Sequence, residues 1–163
     1  MSYVRFKIEG LNGVLDLLHS LPAEVVSKRG GPVKQSLRKG ALILRDQERL
    51  NLSKVLSLKG HSTGLLLKHV IASRGKAPTE GKGERYVVRI KKVFYPRDGD
   101  GKKTTTLKTA HILEYGSEKQ KPTPFIRPAF MAKKEEVLRV VPVDLVKRVN
   151  AIVRKLAKQN SRR

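Results

Sequence analysis

The chain reads as an α+β domain in which a small antiparallel sheet packs against a long helix and a helical extension follows at the C-terminus. Three observations predict this. Val4, Phe6 and Ile8 alternate with polar residues, and Tyr86 to Tyr95 is rich in β-branched and aromatic residues, both marks of strands. An apolar stripe at helical spacing runs on from Pro32. The last third of the chain returns to that helical spacing from Arg127 to about Gln159.

In order, the first strand ends at Gly10, and Val14, Leu15, Leu17, Leu18 and Leu21 form a short helix closed by Pro22. Another turn or two follows up to Lys28, before Arg29-Gly30-Gly31. Pro32, whose fixed φ suits a first helical position, opens the long helix, with Val33, Leu37, Ala41 and Leu44 on its apolar side and Lys34, Arg38, Lys39, Arg45 and Arg49 around the rest. From about Asn51 to Arg85, serines, glycines and Pro78 interrupt the periodicity and predict loops, within which Leu65 to Ala72 is a strand or a helical turn. A strand from Tyr86 to about Tyr95 leads into the turn Pro96-Arg97-Asp98-Gly99-Asp100-Gly101. Thr104 to Thr106 and Ala110 to Tyr115 are expected as one or two further strands, and Pro122-Thr123-Pro124 as an extended connector. Arg127-Pro128 starts a helix whose Phe130, Met131, Val137 and Leu138 face a core and which Pro142 kinks or ends. A second helix, from about Val143 to Gln159, carries Leu145, Val149, Ile152, Val153 and Leu156 on one stripe, expected to pack on its own domain or on a neighbouring subunit. The organisation is thus one domain over residues 1–141, with basic loops at about 51–85 and 96–103, and a basic amphipathic helix and tail over 142–163.

With 163 residues the chain is the size of one domain with extensions. Thirty-six Lys and Arg against 14 Asp and Glu give a formal net charge of +22, so its partners are expected to be anionic, with nucleic acid foremost. No cysteine rules out disulfides and thiolate chemistry, and no Trp with 5% aromatics argues against base stacking as the mode of recognition. No run approaches the ~20 apolar residues of a membrane span and the N-terminus lacks the apolar stretch of a signal peptide, so the chain is expected to be made and kept in the cytosol.

Motifs for chemistry are missing. Gly75-Lys76-Ala77-Pro78-Thr79-Glu80-Gly81-Lys82-Gly83 departs from a phosphate-cradling loop in glycine spacing, in Gly83 where a hydroxyl is needed, and in the strand that follows. His19, His61, His69 and His111 are scattered, Glu135 and Glu136 point apart on a helix, and Asp98 and Asp100 are too few to hold a cation firmly. The sequence therefore predicts no enzyme, no metal and no cofactor. Charge is more informative. Between Arg74 and Lys103 there are ten Lys or Arg against four acids, and from Lys147 to the end there are seven and none. Arg74, Lys76, Lys82, Arg85, Arg97, Lys102 and Lys103 are the candidates to face phosphate, set against the plainer reading of a solvated basic face.

The succession Phe6-Lys7-Ile8-Glu9-Gly10-Leu11, Leu21-Pro22, the basic helix with Gly40-Ala41, Ser62-Thr63-Gly64-Leu65, His111-Ile112-Leu113-Glu114-Tyr115-Gly116-Ser117 and Pro124-Phe125-Ile126-Arg127-Pro128-Ala129 resembles the tail-component (neck or tail-completion) family of lambdoid long-tailed bacteriophages. The likeness extends to about Val141. The chain departs from the pattern at His61-Ser62, where an acidic residue is usual, and in continuing past Pro142. The resemblance implies a virion structural subunit that joins head to tail. It would form a ring of six with copies of itself, meet neighbouring neck, tail-terminator and tail-tube proteins, and let double-stranded genomic DNA through its channel, with the host cytoplasm as the place of assembly. Glu114, Tyr115, Gly116, Pro124, Phe125, Ile126, Arg127 and Pro128 then mark fold and interface; the Leu145 to Leu156 stripe lies past the likeness, and its amphipathic spacing alone makes it the candidate helix for docking a partner. The competing expectation is a basic nucleic-acid-binding protein of ribosomal or chromatin-like type.

Overall fold

A computed structural model describes residues 31–59, 62–76, 84–96 and 104–160. The strand expected at Val4 to Ile8, the helix closed by Pro22 and the turns before Gly30 lie outside the described residues. Within them the order is α1 (Pro32–Lys59), α2 (Leu65–Lys68), β1 (Val70–Arg74), β2 (Tyr86–Ile90), α3 (Thr106–Tyr115) and α4 (Ile126–Asn160). A two-stranded antiparallel sheet packs against the long helix α1, and a C-terminal helix follows, as the α+β reading requires.

α1 continues eight residues past Asn51, into the region where loops were expected. Leu52, Val55 and Leu56 prolong the helical spacing, and Leu52 is wholly buried. The serines there do not break the helix, because the Ser53 and Ser57 hydroxyls donate back to the carbonyls of Leu50 and Ser53 at 2.8 and 2.9 Å. Next, Gly64, at φ +68°, turns the chain into the single helical turn of α2, which buries Leu66 before β1 begins. The ambiguous segment is therefore both things in succession, helical turn and then strand.

β1 and β2 pair from Val70 opposite Ile90 to Arg74 opposite Tyr86. β2 stops at Ile90 rather than Tyr95 because its partner has no strand left: what precedes Val70 is a helical turn, and the last bond beyond the ladder is from the Lys91 N–H to the His69 carbonyl at 2.9 Å. The chain from Lys91 onward is held by Thr106 instead. Its hydroxyl donates to the Lys91 carbonyl at 2.7 Å and accepts from the Val93 N–H at 3.0 Å. Of the strand expected over Thr104 to Thr106, the structure has one bridge, Phe94 to Thr105.

The strand expected over Ala110 to Tyr115 is a helix, α3. Thr106, Ala110, Leu113 and Glu114 are its buried residues, a spacing of four, three and one that only a helix places on one side. Thr105 caps it, its hydroxyl accepting from the Lys108 N–H. Likewise, the helices expected on either side of Pro142 are one helix of 35 residues with the proline inside. Met131 (60% exposed) and Leu138 (37% exposed) face solvent rather than the core expected for them.

α4 runs antiparallel to α1, since Gln35, Ser36 and Gly40 meet Arg148, Asp144 and Val141 while Asn51 meets Phe125. The core lies where this pair meets the sheet and α3. Leu52, Leu66, Val70, Ala110, Leu113 and Phe125 form it, with Val88, Ile90 and Ile126 packed alongside.

Candidate functional site

The two sequence blocks around Glu114 and Phe125 fold into one unit. α4 has no acidic residue in its first turn to offset its free N–H groups. Glu114, buried on α3, reaches across and supplies one: its carboxylate accepts from the backbone N–H groups of Phe125, Ile126 and Arg127 at 2.8, 2.9 and 3.0 Å. The Asn51 side-chain amide donates to the Phe125 carbonyl at 3.2 Å, which ties the same point to α1. Phe125 is wholly buried, Ile126 lies half-buried beside it, and Pro124, Arg127 and Pro128 stay exposed around this anchor. Pro128 sits in the first turn of α4, where its missing N–H costs nothing.

Gly116 ends α3 at φ +84°, so the turn it makes follows a helix and not a strand. Its N–H donates to the Ile112 carbonyl at 2.8 Å, and a Cβ there would stand 3.0 Å from the Gln120 carbonyl oxygen. Ser117 and Gln120 bridge, and the Thr123 N–H returns to the Leu113 carbonyl at 2.7 Å, so the short turn is pinned at both ends. Tyr115 is exposed, its ring 4.8 Å from that of His111.

Two acidic residues that periodicity alone does not single out complete the frame. Glu48 on α1 is buried, and burial first, then the negative charge of Glu114, pushes its carboxyl up from the ordinary 4.5 to about 8, so it is a neutral acid at pH 7. Asp144 on α4, also buried, accepts from Arg148 Nε at 2.5 Å, Lys39 Nζ at 2.8 Å and the Ser36 hydroxyl at 2.9 Å. Those bonds, led by Arg148 and Lys39, hold its carboxyl well below the usual carboxylate range. A sequence with only 14 acids offers a signal here, because an acid at a buried helical position must find either a proton or a partner.

Of the residues expected to face phosphate, Arg74 is engaged: its guanidinium grips the Glu84 carboxylate at 2.8 and 2.5 Å at the end of the hairpin where the connection between the strands begins and ends. Arg85 lays its stem over Gly75, and Lys76 is exposed. Lys82, Arg97, Lys102 and Lys103 lie outside the described residues. In the expected docking stripe, Leu145 and Val149 are buried within the chain itself, Ile152 is half-buried and Val153 is 46% exposed; Leu156 falls in the last turns of α4.

Among the described residues no group of His, Asp and Glu is arranged to hold a metal, and no helix is long and apolar enough to cross a membrane. His69 turns its Nδ1 to the Leu65 carbonyl at 2.7 Å. A surface groove between α3 and the Ser117 turn is lined by Lys92, Leu107, Lys108, His111, Glu118 and Lys119, a mixed lining with an excess of positive charge. No protein-family model, curated protein or solved structure matches the chain.

Proposed function

We propose that the chain is a structural subunit of a bacteriophage neck, a tail-completion or head–tail joining protein that assembles into a ring around the passage for genomic DNA. The observation that carries the reading is the Glu114 carboxylate on the amides of Phe125 to Arg127, which makes the two blocks behind the phage resemblance a single structural joint. Their conspicuous side chains are spent on shape, not on reactivity. An assembly subunit also needs surface for its neighbours, and Met131, Val143 and Val153 on α4, with Phe94, Leu107 and Tyr115 around α3, are all at least 46% exposed. Copies of the same chain and adjoining neck and tail proteins are the partners that would cover them. A ring of six such chains would carry six times +22, so acidic neighbours or DNA must offset part of its self-repulsion.

The test is placement and copy number. Cryo-electron microscopy of virions is expected to show a closed ring of this chain between portal and tail tube, with native mass spectrometry of the free protein giving the monomer or that same ring. No density for the chain at the neck would end the proposal. The competing reading, a basic nucleic-acid-binding protein of ribosomal or chromatin-like type, follows from the net charge and predicts virions without the chain.

A further inference from the structure

Opposite the core, the first turns of α1, the middle of α4 and the first residue of β2 enclose a groove lined by Lys34, Arg38, Lys39, Leu42, Tyr86 and Arg148. We infer that this groove is a contact site for the phosphodiester backbone of double-stranded DNA, read without regard to sequence.

Four cations meet here, and the carboxylate of Asp144 pairs with two of them. Lys39 and Arg148 are pinned to it, and Arg148 is held further by the Gln35 side-chain oxygen. These two cations are thus ordered before any ligand arrives, so binding need not pay again to immobilise them. The other two, Lys34 and Arg38, have no acidic partner among the described residues. They stand one helical turn apart on α1, about 6 Å along its axis, so their charges are spread along the groove and do not converge on a point. The formal balance of the lining with Asp144 is three positive charges.

That layout selects among anions. A small phosphate needs donors aimed at one place, whereas charges set along a rigid helix suit a chain of phosphates. An acidic protein would need an apolar anchor to bind firmly, and the groove offers only the half-buried Leu42. Tyr86 adds a phenol to the lining, a group whose hydroxyl commonly meets backbone oxygens in protein–DNA contacts. The choice of duplex DNA rests on the neck reading above; the affinity for a polyanion rests on the groove alone. A site of this kind is weak and salt-sensitive, as a channel through which DNA must slide requires.

The experiment is fluorescence anisotropy of a labelled mixed-sequence duplex with the full chain across a series of salt concentrations. Lys34→Ala/Arg38→Ala is compared with Lys54→Ala/Lys121→Ala, which removes equal charge from exposed positions outside the groove, and circular dichroism checks that each variant is folded. The wild type is expected to bind with a log–log salt slope that falls in magnitude by about 1.8 in the groove variant, two phosphate contacts at about 0.9 each, and stays unchanged in the control. Equal losses in the two variants, or no duplex binding by the wild type at low salt, would overturn the site. So would polyglutamate displacing the duplex as well, charge for charge, as a competing duplex, which would mark an acidic protein partner instead. None of these results bears on whether the chain forms a ring at the neck, which imaging decides separately.

Discussion

Glu114 does at residue scale what a local capping side chain would ordinarily do, from eleven to thirteen positions away in sequence. Because its loss takes the shared acceptor from three backbone N–H groups at a buried helix start, Glu114→Ala is expected to lower unfolding free energy by about 2–4 kcal/mol in chemical denaturation. Glu48 gives the complementary prediction. Its carboxyl is ionised in the unfolded chain above about 4.5 but stays protonated in the folded one until about 8. The stability this proton confers is complete below 4.5 and is lost as pH rises through that window, by at most about 1.4 kcal/mol per pH unit. Melting temperatures should accordingly fall between pH 5 and pH 8 in the wild type, with a shallower decline in Glu48→Gln; parallel declines would show that Glu48 is not the group responsible. Asp144 has the opposite sign, since its stabilising charge is lost only as pH falls below the ordinary carboxylate range.

At the scale of elements, the crossing of α1 and α4 depends on Gly40. A Cβ there would lie 2.6 Å from Val141 Cγ2 and 3.1 Å from Val137 Cγ1, so the helices approach more closely than alanine allows. Gly40→Ala should destabilise by about 1–3 kcal/mol despite the better helix propensity of alanine, and Val141→Ala in the same chain should restore part of the loss, as a double-mutant cycle would measure. Pro142 is the reverse case. It sits inside a continuous helix and denies the Leu138 carbonyl its usual donor, so Pro142→Ala is expected to raise the melting temperature. Packing along α1 holds that helix together across the proline, with Val141, Asp144, Leu145 and Val149 all engaged or buried near it.

On the scale of the whole molecule, two things stand out: a net charge of +22 and apolar side chains left facing water on α3 and α4. Charge resists self-association and exposed apolar surface favours it, so assembly should be promoted by added salt, which screens the first and spares the second. Light scattering across a salt series is expected to show mass rising with ionic strength, whereas mass falling with salt would mean that ion pairs, not apolar contacts, hold the copies together. DNA binding through the α1–α4 groove should respond to salt in the other direction, which separates the two kinds of contact in one titration.

Sequence alone settled the α+β class, the start of the long helix at Pro32, the strand opening at Tyr86 and the helical C-terminal third, because each rests on local periodicity or on the fixed φ of proline. It also picked out Glu114, Phe125 and Ile126, though not the bond that joins them. Tertiary structure decided the rest. Ala110 to Tyr115 is short and apolar enough for either geometry, and only burial of Thr106, Ala110 and Leu113 on one side makes it helical. β2 ends at Ile90 because its partner runs out, and Pro142 stays within its helix because α1 lies alongside. In each case the energy that chooses comes from residues distant in the chain, which no local pattern contains.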